Sequence, residues 1–277
     1  MKKSKSFVLK QGIIYILFVV MSLTIIYPLF WILSNSLKTN KEFYSDTFSL
    51  PSILNFSNYR EAWENGISTY YINSLLVTAA AVILILILST LAAFALTRLD
   101  MKFKKIIFIL LIGGMFVSPQ TAVLPLYDIL QNIHLYDTYA AMILPDTAFR
   151  LSFSIFLLYP GFASIPGELE EAALIDGATR FKIYRKVVLP VCKPTVMACI
   201  LLNLIYVWDE FTFALNFISN EKYYTIPVGL MSFSQALYTD WVVLLAGITL
   251  AVIPILIVFI VFQKYFIAGL TVGSVKE

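Results

Sequence analysis

Ala163–Pro190 reads ASIPGELEEAALIDGATRFKIYRKVVLP, the one long polar interruption between two apolar runs in the second half of the chain. Its composition suits a pair of short helices. Ser164 is placed to cap the first, with Pro166 near its start and Glu168, Glu170 and Glu171 in the opening turns, where carboxylates face the positive end of the peptide dipole. Gly177 fits the C′ position that ends it. Thr179 then caps a second helix that carries Arg185 and Lys186 before Pro190 closes it. Each helix is about 10 residues, roughly 15 Å, so neither crosses a bilayer. Ala172, Ala173, Gly177 and Ala178 leave room at the elbow for another protein to come close.

Around this knuckle the chain is apolar. With 60% hydrophobic residues, 13% charged and a mean hydropathy of +0.84, it reads as an all-α integral membrane protein. The net charge of +3 gives no reason to expect a nucleic-acid partner. Cys192 and Cys199 stand seven apart in an apolar run without CxxC spacing, and the single histidine, His134, has no Ser, Cys or carboxylate constellation around it. Neither a metal site nor an enzyme is expected. No G-x-x-x-x-G-K-[ST] phosphate loop is present, so energy for any pumping would have to come from a partner.

Six uncharged or weakly charged runs set the spans at 13–34, 71–97, 106–127, 138–162, 194–218 and 241–263. Residues 1–12 form a basic start and 264–277 a tail. The longest polar connector, from Lys38 to about Tyr70, is too mixed to enter hydrocarbon. Pro119 and Pro125 late in the third span imply a kink or an early helix end. The knuckle, with its flanks, occupies 163–193. With the N-terminus inside, inner segments hold fifteen Lys and Arg, outer ones four, and Arg150 lies within a span. That bias places both termini and the knuckle in the cytoplasm.

Charges within the spans need partners or a wet cavity. Asp146 and Arg150 are four apart with the acid first, the favourable order for an intrahelical pair, and Asp209 and Glu210 fall in span five. Two readings stay open. In one, Arg150 pairs with Asp146 or Asp209 and locks spans four and five together. In the other, Arg150, Asn203, Tyr206, Trp208, Asp209 and Glu210 line a polar pathway that holds a hydroxyl-rich solute.

Glu171-Ala172-Ala173, three residues, Gly177, then nine residues to Val187-Val188-Leu189-Pro190 resembles the EAA loop of ABC-importer permeases. Trp208 to Leu215, WDEFTFAL, resembles the W-[ND]-x-F sequence in span five of carbohydrate-type permeases. The ending QKYFIAGLTVGSVKE is similar to the tail of the maltose-importer second permease (MalG-like) family. The resemblance covers nearly the whole chain. It implies the type I importer permease fold and import of a sugar or oligosaccharide across a bacterial or archaeal inner membrane. The partners it implies are a second, MalF-like permease, two ATPase subunits that hold ATP and Mg, an extracytoplasmic solute-binding protein and membrane lipid. It assigns ATPase coupling to Glu171, Ala172, Ala173, Asp176, Gly177, Leu189 and Pro190, and tail contacts to Gly269 and Gly273. A permease for glycerol phosphate, a polyamine or an amino acid is the nearest alternative, and an ion-coupled secondary transporter using Asp209 and Glu210 a more distant one.

Overall fold

The computed structural model describes residues 5–233 and 239–271, and the described residues are helical apart from turns and connectors. In chain order the helices are α1 (Lys5–Ser36), α2 (Asn40–Ser45), α3 (Ser57–Ala62), α4 (Ser68–Arg98), α5 (Lys104–Gly113), α6 (Pro119–Asn132) and α7 (Tyr139–Ala163). They continue as α8 (Glu168–Ile175), α9 (Arg180–Ile183), α10 (Leu189–Val191), α11 (Lys193–Trp208), α12 (Thr212–Phe217), α13 (Ile226–Ser232) and α14 (Trp241–Thr271). Four stretches are long and apolar enough to cross a membrane: Gln11–Ser36, Ser57–Arg98, Tyr139–Ala163 and Trp241–Gln263. Two bent helix pairs bring the number to six when each is taken as one span.

The chain divides into two compact units, one comprising residues up to Ser68 with Leu230–Val252, the other Thr69–Gly229 with the residues from Ile253 onward. In the first, the 38–68 connector is ordered by buried polar groups. Lys38 is fully buried and its Nζ donates to the Asp46 carbonyl at 2.9 Å. Asn58 Nδ2 donates to the carbonyls of Ser36 and Lys38, each at 2.8 Å. At the start of α2, Thr39 and Glu42 form a capping box. The Glu42 carboxylate also accepts from the Ser52 hydroxyl; that bond and the Thr39 amide hold its pKa down to about 2.

In the second unit α4 supplies the packing surface. Its buried positions Asn73, Val77, Ala81, Ile85, Ser89 and Ala93 recur every four residues, a stripe along one face. Three of the six are Ala or Ser, which lets other helix backbones come near. One core cluster collects Val77, Ala81 and Ile85 with Met142 of α7 and Phe213 and Phe217 of α12. A second collects Ala93 and Phe94 with Leu158 and Phe162 of α7 and Ile183, Tyr184 and Val188 of the knuckle.

Three span boundaries differ from the sequence reading. The run set as a span over 106–127, with a kink or early end expected at its prolines, is broken ahead of them: α5 ends at Gly113, a 3-10 turn follows, and α6 leaves at 99°. Pro119 opens α6, where its missing N–H costs nothing, and Pro125 sits within α6 without ending it. Gly114 at the break packs close to α7: a Cβ there would lie 2.5 Å from Ser152 Oγ, so the serine hydroxyl would have to turn away. The run taken as 194–218 is also discontinuous, since α11 stops at Trp208, roughly 24 Å from its start. Helix resumes with α12 after a break at Asp209–Phe211. The last helix runs on past 263 to Thr271 and contains Gly269, whereas Gly273 lies outside the described residues.

Candidate functional site

The knuckle is a helical hairpin whose turn is written in local chemistry. Gly177 has φ +73°, its N–H donates to the Leu174 carbonyl at 3.0 Å, and the Ala178 N–H donates to the Ala173 carbonyl at 2.9 Å. Those two bonds are the Schellman closure of a helix end. Thr179 is extended and its Oγ1 accepts from the Lys182 N–H, capping α9 as its residue type implies. Ser164 does not cap α8. Its hydroxyl donates back to the Gly161 carbonyl at 2.9 Å, closing α7 instead, and α8 begins at Glu168 after Gly167. Nor does Pro190 end the second leg. The helix continues through a π-turn to Val191, and the 81° bend to α11 comes at Cys192.

Exposure separates an inner from an outer face. Glu171, Ala172, Asp176, Gly177 and Pro190 are exposed, while Ala173 and Leu189 pack against the core cluster. The outer face carries large apolar side chains that the motif reading did not single out: Leu174, Phe181 at 63% exposure and Ile175 at 87%. Their signal was present in the sequence, as bulky apolar residues beside the turn glycine. Behind them the root is tied down. The Arg98 Nε atom of α4 lies 2.9 Å from Glu170 Oε1, the Tyr184 hydroxyl is 2.8 Å from Thr90 Oγ1, and the Cys192 thiol donates to the Gly161 carbonyl at 3.2 Å.

The intramembrane polar residues form a second cluster, and they divide. Arg150 does not pair with Asp146 or Asp209. Its Nε donates to Asn203 Oδ1 at 2.8 Å, and its guanidinium lies between the Phe153 and Tyr206 rings, 4.4 and 4.2 Å from their centroids. Asn203 is fully buried and donates to Ser154 Oγ at 2.9 Å and the Cys199 carbonyl at 2.8 Å, so it sits behind the surface and aims Arg150. Arg150, Tyr206, Asp209 and Glu210 line a cavity of about 490 Å³ together with Phe153 and Thr212. Both oxygens of Glu210 are committed to the backbone: they accept from the Phe213 and Ala214 N–H groups at 2.8 and 3.1 Å and so start α12. Trp208 is absent from this cavity. It is buried edge-on to Tyr71, with centroids 5.5 Å apart, and borders an apolar pocket with Pro254. Asp146 is 1% exposed, and neither of its oxygens has a hydrogen-bonding partner among the described residues.

A helical membrane chain with this polar hairpin matches one protein family over residues 102–272, the binding-protein-dependent transport system inner membrane component. The chain belongs to that family. The match to this inner membrane component begins before α5 and takes in the knuckle, the cavity and α14. Among its relatives are a probable ABC transporter permease protein, YurM, of Bacillus subtilis (strain 168), 42% identical over 92% of this chain and 85% of that one. The melibiose/raffinose/stachyose import permease MelC of the same organism is 34% identical over 90% and 91%. The arabinooligosaccharides transport system permease AraQ, also from that organism, is 32% identical over 100% and 99%. Among solved structures, a bacterial ABC transporter involved in the import of the acidic polysaccharide alginate superposes with a TM-score of 0.84 at 26% identity, over 96% of this chain and 99% of that one.

Proposed function

We propose that this inner membrane component forms half of the translocation pathway for a sugar or oligosaccharide and takes its driving force through the knuckle. The observation that carries the reading is the pairing of a stapled root with an exposed apolar tip. Ile175 and Phe181 stand out to solvent on a loop too polar for lipid, the pattern of a surface that a protein partner covers. The partners on this reading are two ATPase subunits that bind ATP and Mg, a second permease and an extracytoplasmic binding protein. The knuckle and both termini face the cytoplasm, in keeping with the Lys and Arg bias. ATP-driven closure of the ATPases pushes the knuckle, and since packed helices move as bodies, the spans rock between inward-open and outward-open arrangements.

The saccharide assignment draws support from the sugar-import relatives and from the cavity. Asp209 and Thr212 offer oxygen acceptors, Tyr206 an aromatic surface and Arg150 a fixed cation, a mixture suited to hydroxyl groups on a pyranose ring. An ion-coupled transporter would use Asp209 and Glu210 as carriers, yet Glu210 spends both oxygens on capping α12. The test is uptake into proteoliposomes containing this chain, its partner permease, the ATPases and the binding protein, over a panel of labelled saccharides. Accumulation that needs ATP and the binding protein supports the reading; accumulation driven by a proton or sodium gradient without them overturns it.

A further inference from the structure

We infer that Arg98 and Glu170 are positioning residues that make the knuckle and the ends of α4 and α7 a single lever. The inference rests on the coupling reading of the knuckle and goes beyond it. In the sequence Arg98 is one of the fifteen inner Lys and Arg residues and Glu170 a carboxylate favourable at a helix start. In the structure the two side chains are almost entirely withdrawn from solvent, at 11% and 9% exposure, with Nε and Oε1 2.9 Å apart. The same guanidinium reaches further. Its Nη2 donates to the Ile165 carbonyl at 2.8 Å and to the Phe162 carbonyl at the end of α7.

One planar group therefore joins three pieces of chain: the last turn of α4, the last turn of α7 and the first turn of α8. The two Nη2 bonds fix where the guanidinium sits, and its Nε meets the Glu170 carboxylate as a close ion pair without a directed hydrogen bond, a combination of carbonyl anchoring and charge that a compact ammonium does not reproduce. Glu171, the next residue, is exposed and free to meet a partner. Adjacent carboxylates thus divide the work, Glu170 facing the body of the permease and Glu171 facing outward. Force applied near Ile175 can tilt α8 alone only if the Arg98 fork lets go. While it holds, α8 carries the cytoplasmic ends of α4 and α7 with it.

The experiment uses the whole permease assembled with its partner permease and ATPases, with spin labels at Glu168→Cys on α8 and Ile83→Cys on the exposed side of α4. The distance between them is measured without nucleotide and with ATP and vanadate. Parallel measurements record ATPase co-purification, ATP hydrolysis and an ATP-driven distance change across the spans. The parent chain should keep one narrow α8-to-α4 distance in both states. E170Q keeps the shape and loses the charge; R98K keeps the charge and loses the fork. Both should still co-purify with the ATPase and hydrolyse ATP, while the α8-to-α4 distribution broadens and the ATP-driven movement of the spans is lost. Narrow distributions with intact span movement in both variants overturn the inference, as does loss of ATPase assembly in both, which would make the pair a folding element only. If the parent chain itself fails to hold the ATPase, the coupling reading fails first and takes this inference with it.

Discussion

Substituting Gly177 separates what the turn needs from what a partner needs. At φ +73° any residue with a Cβ is strained, and a left-handed residue costs about 1–2 kcal/mol. A Cβ built there meets nothing within 4 Å, so the chain itself has no steric objection to a larger group. Gly177→Ala and Gly177→Leu therefore carry nearly the same backbone strain, and in the isolated permease they should unfold within a few degrees of each other. They part only where another molecule fills the space. Overpacking a formed interface costs about 1–3 kcal/mol, which converts to roughly five- to 150-fold weaker association. The assay is ATPase binding to the purified permease in detergent, followed by ATP-dependent uptake in proteoliposomes. G177L should bind the ATPase at least about fivefold more weakly than G177A, with a matching fall in uptake. Equal binding and equal uptake by the two variants would refute the claim that this turn lies in a docked surface.

Asn203→Leu leaves the Arg150 guanidinium without its buried acceptor and should lower stability by about 2 kcal/mol, read as a lower unfolding temperature in detergent; an unchanged temperature would show that Asn203 does not hold Arg150. Asp209→Asn, at an exposed carboxylate on the cavity wall, should change uptake kinetics without reducing membrane insertion, and unaltered kinetics would remove Asp209 from the pathway. Glu42 should titrate near 2 rather than at the ordinary 4.5. Because its folded pKa is depressed, its contribution to ordering the α2 segment is present above about 4.5 and is lost as pH falls toward 2. Carboxylate-resolved spectroscopy checks this, and titration at 4.5 would deny the Ser52 and Thr39 bonds.

Features that depend on a few neighbouring residues were legible in the sequence. Gly177 and Thr179 announced a helix end and a helix start because αL backbone and side-chain capping are local requirements. Apolar run length pointed to membrane-crossing helices, four of which are continuous. What escaped involves partners far apart in the chain. Glu170 looked like a dipole partner because its true neighbour, Arg98, lies on another helix. Of the two open readings of Arg150, the one that paired it with a carboxylate followed from charge inviting charge, but two aromatic faces and an amide hold it instead, on the wall of the cavity. Trp208 and Asp209 are adjacent, yet the end of α11 turns one into a packed aromatic pair and leaves the other on the cavity wall. The break in the third span had a sequence signal, Gly113-Gly114 followed by Pro119, but its 99° angle is not a property of those residues alone, because Gly114 packs close to Ser152 of α7.

Ile175 offers the most direct test, because it is 87% exposed at the tip of the knuckle while the two native cysteines, Cys192 and Cys199, are buried. A cysteine placed at 175 can be probed with a membrane-impermeant reagent in inverted and right-side-out vesicles, then with a short crosslinker in the presence of the ATPase subunits. Labelling confined to inverted vesicles, together with a crosslink to an ATPase subunit, is the predicted result. Labelling from the external side, or no ATPase crosslink in a transporter that is actively importing, would contradict the account.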